Sequence, residues 1–142
     1  MAVKKLLHGS AAETEAAFYD ALNRADLDSL MALWAEDEDV TCIHPGAPRL
    51  VGHAAIRASW AAIFERGGIH IRPVQLHSTH NLMSAVHSII EEIQRRQGDA
   101  HELHIICTNV YVNTPLGWRI VTHHASIAPG PGPAGPSPAI LH

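Results

Sequence analysis

The sequence is short of the features that mark a nucleic-acid binder, a disulfide scaffold or a membrane-spanning chain. Lysine and arginine total 10 of 142 residues against 14 aspartates and glutamates, a formal net charge of −4 with histidine neutral. There is no basic field to track phosphates, so nucleic acid is not an expected partner. The two cysteines, Cys42 and Cys107, have no C-x-x-C spacing and each sits in an apolar stretch. They read as buried free thiols, not as a disulfide or zinc pair. Burial raises a thiol pKa, which disfavours either as a nucleophile. No apolar run approaches the ~20 residues that cross a bilayer. The opening MAVKKLLHGS offers only Leu6-Leu7 as a would-be signal core, too little for a secretory leader. No membrane partner is expected, and a cytoplasmic location is the default. No cofactor motif is present.

Histidine is what the sequence has in excess: 12, more than lysine and arginine together. Such a count invites a metal hypothesis, but spacing has to support it. His77 and His80, like His101 and His104, are three apart, which on a strand puts the two rings on opposite faces. The adjacent pair His123-His124 splits the same way. Only a set drawn from different strands, such as His44, Glu91 and His124, could chelate, and no metal ligands are assigned.

Along the chain, SAAETEAAFYDALNRADLDSLMALW reads as two helices. Ser10 is a candidate N-cap with Glu13 three residues on, and Phe18 and Leu22 head an apolar stripe. Asp26 can cap the second helix. Val40 to Ile43 is a short strand, PGAPRLVG a turn and a short extended piece, and HAAIRASWAAIFERGG a third helix ended by Gly67-Gly68. The hydrophobic period then changes from about 3.6 to about 2. Strands are expected over Ile69 to Ser78, Leu82 to Ile93, His101 to Val112 and Trp118 to Ile127, with QRRQGD and NTPLG as hairpin turns. Helices segregated on one face of an antiparallel sheet define an α+β class. The tail, 128–142, is rich in proline and glycine and reads as a flexible appendage to a domain over residues 1–127.

The helix pair around ALNRADLDSLMALWAED, the G-H-x-A-I-R entry at Gly52 to Arg57 and the closing GWRIV strand together resemble the nuclear-transport-factor-2-like superfamily. They are most similar to its SnoaL-like branch, which includes ketosteroid isomerases and polyketide cyclases. The resemblance spans residues from about 11 to 127. It implies a cone in which three N-terminal helices pack on a strongly bent, mostly antiparallel sheet and enclose a pocket. It also implies a homodimer through the outer sheet face and a small apolar ligand. It does not fix an activity, because the fold hosts many. The tyrosine donor of ketosteroid isomerases falls at Phe18, their aspartate base at Cys42 or His44, and their second donor near Thr108. That acid–base set is absent, so a steroid isomerase is not expected.

A symmetric NTPLG hairpin would place Val112 opposite Trp118, Val110 opposite Ile120, Thr108 opposite Thr122 and Ile106 opposite His124. The simplest register of the preceding hairpin sets Glu91 beside Ile106 and His87 beside Val110; a one-residue slip would put Glu92 and Val86 there instead. With the Thr108 face taken as helix-facing, His44, Glu91 and His124 become the candidate catalytic group. Phe18, Tyr19, Trp34, Trp60, Phe64, His87, His104, Thr108 and Trp118 become the candidate ligand-binding wall. Each has a structural alternative: a turn histidine at His44, a dimer-surface His87, a solvated strand end at Glu91, and core roles for the tryptophans. His44 shares its side of the strand with Val40 and Cys42, and is expected to point into the cone. Two functions fit. One is a lyase, isomerase or hydrolase using a histidine–carboxylate pair for proton transfer. The other is a non-catalytic ligand-binding or dimerisation module.

Overall fold

The computed structural model describes residues 9–94 and 103–129. The QRRQGD turn, His101 and almost all of the Pro/Gly-rich tail lie outside them.

Helix α1 (Ala11–Asn23) starts where the capping pattern puts it. Ser10 Oγ accepts the Glu13 amide at 3.1 Å, satisfying one of the donors a helix start leaves open. Helix α2 (Leu27–Met31) is little more than one turn, capped by Asp26 on the Ser29 amide at 3.1 Å. Between them Ala25 takes φ 53°. This left-handed turn lets the Asp26 amide reach the Ala21 carbonyl at 2.9 Å. Strands β1 (Thr41–Ile43) and β2 (Leu50–Val51) lead through Gly52 into α3 (His53–Glu65). Gly67 and Gly68, both at positive φ, end it, as glycine does with little strain. Four long strands follow: β3 (His70–His80), β4 (Ser84–Gln94), β5 (Leu103–Thr114) and β6 (Gly117–Ile127).

The six strands form one sheet in the order β2-β1-β6-β5-β4-β3. All neighbours are antiparallel except β1 and β6, which run parallel. The result is an α+β domain with few helices on a strongly curved, open, mixed sheet. Phe18, Leu22, Leu30, Trp34, Ile56, Trp60, Ile89, Tyr111 and Ile120 form its core, each worth about 1.5–3 kcal/mol or somewhat more by burial. Polar clamps fix α1 to the sheet. Thr14 Oγ1 donates to the Trp118 carbonyl at 2.8 Å. The Asn23 amide brackets Ile71, donating to its carbonyl at 2.9 Å and accepting its N–H at 2.7 Å.

Register is where structure and sequence part. The β5–β6 connection is a tight two-residue turn, with Thr114 opposite Gly117 and Asn113 opposite Trp118, not a symmetric five-residue loop. Thr114 Oγ1 accepts the Leu116 amide at 3.1 Å and donates to the Gly117 carbonyl at 2.6 Å. Further along, Tyr111 pairs with Ile120 but Val110 pairs with Thr122, so Val121 is an extra residue, a β-bulge. A bulge switches which side chains share a face. Trp118 and Ile120 thus lie on the helix side, while Thr122 and His124 lie on the other. On β4, Glu91 pairs with Ile105 and His87 with Asn109, one residue off the expected pairing.

Candidate functional site

The helix-facing side of the sheet carries Ala85, His87, Ile89 and Glu91 on β4, Ile105, Cys107, Asn109 and Tyr111 on β5, and Ile120, His123 and Ala125 on β6, all buried. The Thr108 face is the outer one. Thr108 and His124 are exposed there. His104 lies on the same face, 3.6 Å from Glu92. The expectation that His104, Thr108 and His124 point into the cone is therefore corrected. The cause is the face assignment, which parity alone cannot decide. His87 and Glu91 do face the helices, because the register slip and the wrong choice of face cancel for β4.

Two polar layers result, both hung from α1. Its inward face carries Glu15, Phe18, Tyr19 and Leu22, the i, i+3, i+4, i+7 pattern of one helix side. In the first layer Glu15 Oε2 accepts from His87 Nδ1–H at 2.8 Å and from the Tyr111 hydroxyl at 2.7 Å. The His87 ring packs on Tyr111 with centroids 5.0 Å apart. Because Glu15 takes the Nδ1 proton, Nε2 is the basic nitrogen of the neutral ring. His87 also lines a half-open cleft of about 470 Å³ between the first turn of α1 and the β3–β4 hairpin. The cleft's other walls include Leu76, Leu82, Ala85 and Trp118, with Ser78, His80, Asn81 and Asn113 adding polar groups. Burial, then the Glu15 charge, pushes the Tyr111 phenol far above its usual range, so it stays a donor.

The second layer lies one helical turn further in. The Tyr19 hydroxyl donates to Glu91 Oε2 in a short hydrogen bond. Asn109 Nδ2 donates to the Tyr19 oxygen at 3.3 Å, and His123 Nδ1–H donates to Asn109 Oδ1 at 2.7 Å. Cys107 Sγ lies 3.2 Å from Asn109 Oδ1 and 3.4 Å from His123 Nδ1. Phe18 and Trp60 close this layer, their ring centroids 5.3 and 5.8 Å from that of His123. Burial pushes Glu91 up to about 7, overriding the Tyr19 hydrogen bond that lowers it. Burial, with the nearby His44 and His124, pushes His123 down to about 3. Burial also raises the Cys107 thiol and, with Glu91, the Tyr19 phenol.

His44 borders this second layer. Its Nε2 lies 2.9 Å from Ser59 Oγ, and Ser59 donates its own proton to the Ile56 carbonyl at 2.8 Å. His44 is thus the Nε2–H donor, leaving Nδ1 basic. Its ring meets Trp60 edge-on at 4.7 Å, and burial lowers its pKa. Its ring faces α3 and is not gathered with Glu91 and His124 into one triad. Phe64 packs beside Trp60 at 6.2 Å. Trp34 is a core residue at an isolated bridge to Ile120, with its buried indole N–H unpartnered.

Sequence reasoning missed Glu15, Asn109, Tyr111 and His123. Glu15 had a signal: a carboxylate on the apolar face of α1, one turn before Tyr19. Asn109 and His123 each sit one position from the expected Thr108 and His124, and Tyr19, next to Phe18, supplies a phenol donor.

This arrangement defines a class: an α+β domain that sets buried acid–base groups between its first helix and a curved sheet. A SnoaL-like domain model matches residues 12–130. The chain belongs to the SnoaL-like branch of the nuclear-transport-factor-2-like superfamily. A candidate calcium/calmodulin-dependent protein kinase type II association domain from Thiobacillus denitrificans is 34% identical, with TM-score 0.81 over 87% of this chain and 98% of that one. A candidate dehydratase of the NTF2-like family from Streptomyces avermitilis is 30% identical, with TM-score 0.74 over 82% and 92%. A ketosteroid isomerase-like protein from Erwinia carotovora shares the fold at 17% identity, with TM-score 0.64 over 82% and 92%. No curated protein matches the chain. No helix among the described residues is long and apolar enough to cross a membrane.

Proposed function

We propose that this protein is a small-molecule pocket protein that catalyses proton transfer on an apolar metabolite, as a lyase, isomerase or hydrolase. His87 is the base and Glu15 its orienting carboxylate. One observation carries the reading: a buried histidine, 4% exposed, is held through Nδ1 by Glu15 and lines the cleft. Proton abstraction at Nε2 makes an imidazolium, and the carboxylate behind it stabilises that charge. Tyr111 holds Glu15 so that the pair cannot swing apart. In an elimination, the imidazolium then returns its proton to the departing hydroxyl, so water leaves with the carbon-bound proton and no oxidant is needed. Leu76, Leu82 and Trp118 suit an apolar ring or chain. The candidate dehydratase 30% identical to this chain fits the same reaction type. This reading moves the proton-transfer role from His44, Glu91 and His124 to the His87–Glu15 pair. Both described cysteines are free thiols, which supports a reducing, cytoplasmic setting.

The test is a panel of small cyclic β-hydroxy ketones, followed by the ultraviolet absorbance of the conjugated product. Wild type should turn over at least one of them, and His87→Ala should lose about 10²–10⁴-fold. A folded His87→Ala variant with full activity would overturn the assignment.

A second reading, association through the outer sheet face, has its own observation. Val86 and Ile106 are 40% and 42% exposed, beside half-buried Ile90 and Val110 on the same face. We propose that two copies meet there, in line with the neighbour named as an association domain. Sedimentation should show a dimer that Ile106→Asp converts to monomer. A stable wild-type monomer at micromolar concentration would rule this out.

A further inference from the structure

The second layer does not touch the cleft, and the proton-transfer reading leaves it without a role. It nevertheless concentrates three metal-competent side chains from three neighbouring strands. A carboxylate oxygen of Glu91 on β4, Sγ of Cys107 on β5 and a ring nitrogen of His123 on β6 all lie within 4.8 Å of one another, and all three residues are buried. We propose that Glu91, Cys107 and His123 bind a zinc ion that clamps β4, β5 and β6 beneath α1.

The geometry is close to what the ion needs. Zinc bonds of about 2.3 Å to sulfur and 2.0–2.1 Å to imidazole nitrogen put tetrahedral sulfur and nitrogen ligands about 3.5 Å apart. Cys107 Sγ and His123 Nδ1 are 3.4 Å apart. Asn109 Oδ1 touches both, at 3.2 and 2.7 Å, and marks the fourth coordination position, which its carbonyl oxygen or a water can fill. The donor set selects the metal. Thiolate with imidazole and one carboxylate suits zinc, whereas calcium and magnesium require mostly oxygen ligands.

Charge argues the same way. A thiolate and a carboxylate bring two negative charges to a neutral imidazole, and a divalent ion cancels them, so the buried site becomes neutral. Binding expels the thiol proton and whatever proton Glu91 carries, and the His123 ring proton moves from Nδ1 to Nε2. The outer shell is in place: Tyr19 hydrogen-bonds Glu91, and outer-shell hydrogen bonds of this kind orient ligands.

The proposal is tested on the full-length wild-type protein with metal alone. Elemental analysis after expression in zinc-supplied medium should give one zinc per chain. After chelator treatment, cobalt(II) titration should develop a thiolate-to-cobalt charge-transfer band with one equivalent. Cys107→Ser should abolish that band and weaken zinc binding by roughly tenfold or more. Cys42→Ser, which removes the other thiol, should keep it. No charge-transfer band in folded wild type, or a band lost with Cys42→Ser and kept with Cys107→Ser, would overturn the site. Neither measurement uses turnover, and neither His87 nor Glu15 is a ligand. Failure here therefore leaves the proton-transfer reading standing, and the reverse holds.

Discussion

The two polar layers beneath α1 share three residue types and differ in what they end on. Each has a glutamate, a tyrosine and a histidine, contributed by α1 and the central strands. In the outer layer, Glu15 is bonded by Tyr111 and holds His87, which lines the cleft. In the inner layer, Tyr19, Glu91, Asn109 and His123 end on Phe18 and Trp60. Residue type alone therefore does not separate a reactive group from a structural one. Access does. A histidine that lines a cleft can exchange a proton with a substrate, while one sealed in a hydrophobic shell has only its neighbours as partners.

The contrast can be broken most sharply in the outer layer. Glu15→Gln keeps the shape of the side chain and removes the charge behind His87. Turnover should fall about 10²–10⁴-fold with little change in the urea midpoint. If the midpoint collapses while the residual activity is normal, Glu15 is structural and the contrast between layers disappears.

The inner layer should respond the other way. Asn109→Ala strands the His123 N–H and the Tyr19 oxygen in a buried site. Leaving buried polar groups unpaired costs about 1–3 kcal/mol each, so the metal-free variant should lose roughly 2–6 kcal/mol of stability. Equilibrium urea unfolding measures it, and a loss too small to detect would show that solvent reaches the layer.

His44 supplies a pH test at the border of the inner layer. Burial lowers its folded pKa below the ordinary value of 6.5. Its contribution to stability is therefore fully present above about pH 6.5, and is lost as pH falls, because the unfolded chain takes up the proton first. The groups facing it are Cys42, Ser59 and Trp60, with His123 near enough to feel its charge. His44→Gln should flatten the stability profile below pH 6.5 relative to wild type. An unchanged slope would mean that the ring is solvated in the folded protein.

The smallest effect sharpens the comparison by leaving it alone. Ala25 holds φ 53° at the end of the helix that carries both layers. A non-glycine residue pays about 1 kcal/mol there, and Ala25→Gly should raise stability by about 0.5–1 kcal/mol. Since α1 bears Glu15 and Tyr19 together, activity per folded molecule should not change. A shift in activity would show that the helix end controls the cleft.

The sequence by itself determined the elements of this protein. Ser10 and Asp26 cap the helices the pattern assigns them, Gly67-Gly68 ends α3, and the change of period marks the strands. Such signals act over a few residues and survive in any register. The buried state of Cys42 and Cys107 was legible for the same reason: each sits among apolar neighbours on its own strand. What only the tertiary structure decided was which face of each strand met the helices. Val121 looks like any strand residue, yet as a bulge it sets Trp118 and Ile120 on the opposite side from Thr122 and His124. Side chains alternate with a period of two, so one extra residue exchanges inside for outside. The face of β5 that meets the helices put Asn109 in the site in place of Thr108, and the bulge on β6 put His123 there in place of His124. The same face of β5 brought Cys107, on a different strand from either partner, to within reach of Glu91 and His123, a meeting that rests on pairing between strands and not on spacing along any one of them.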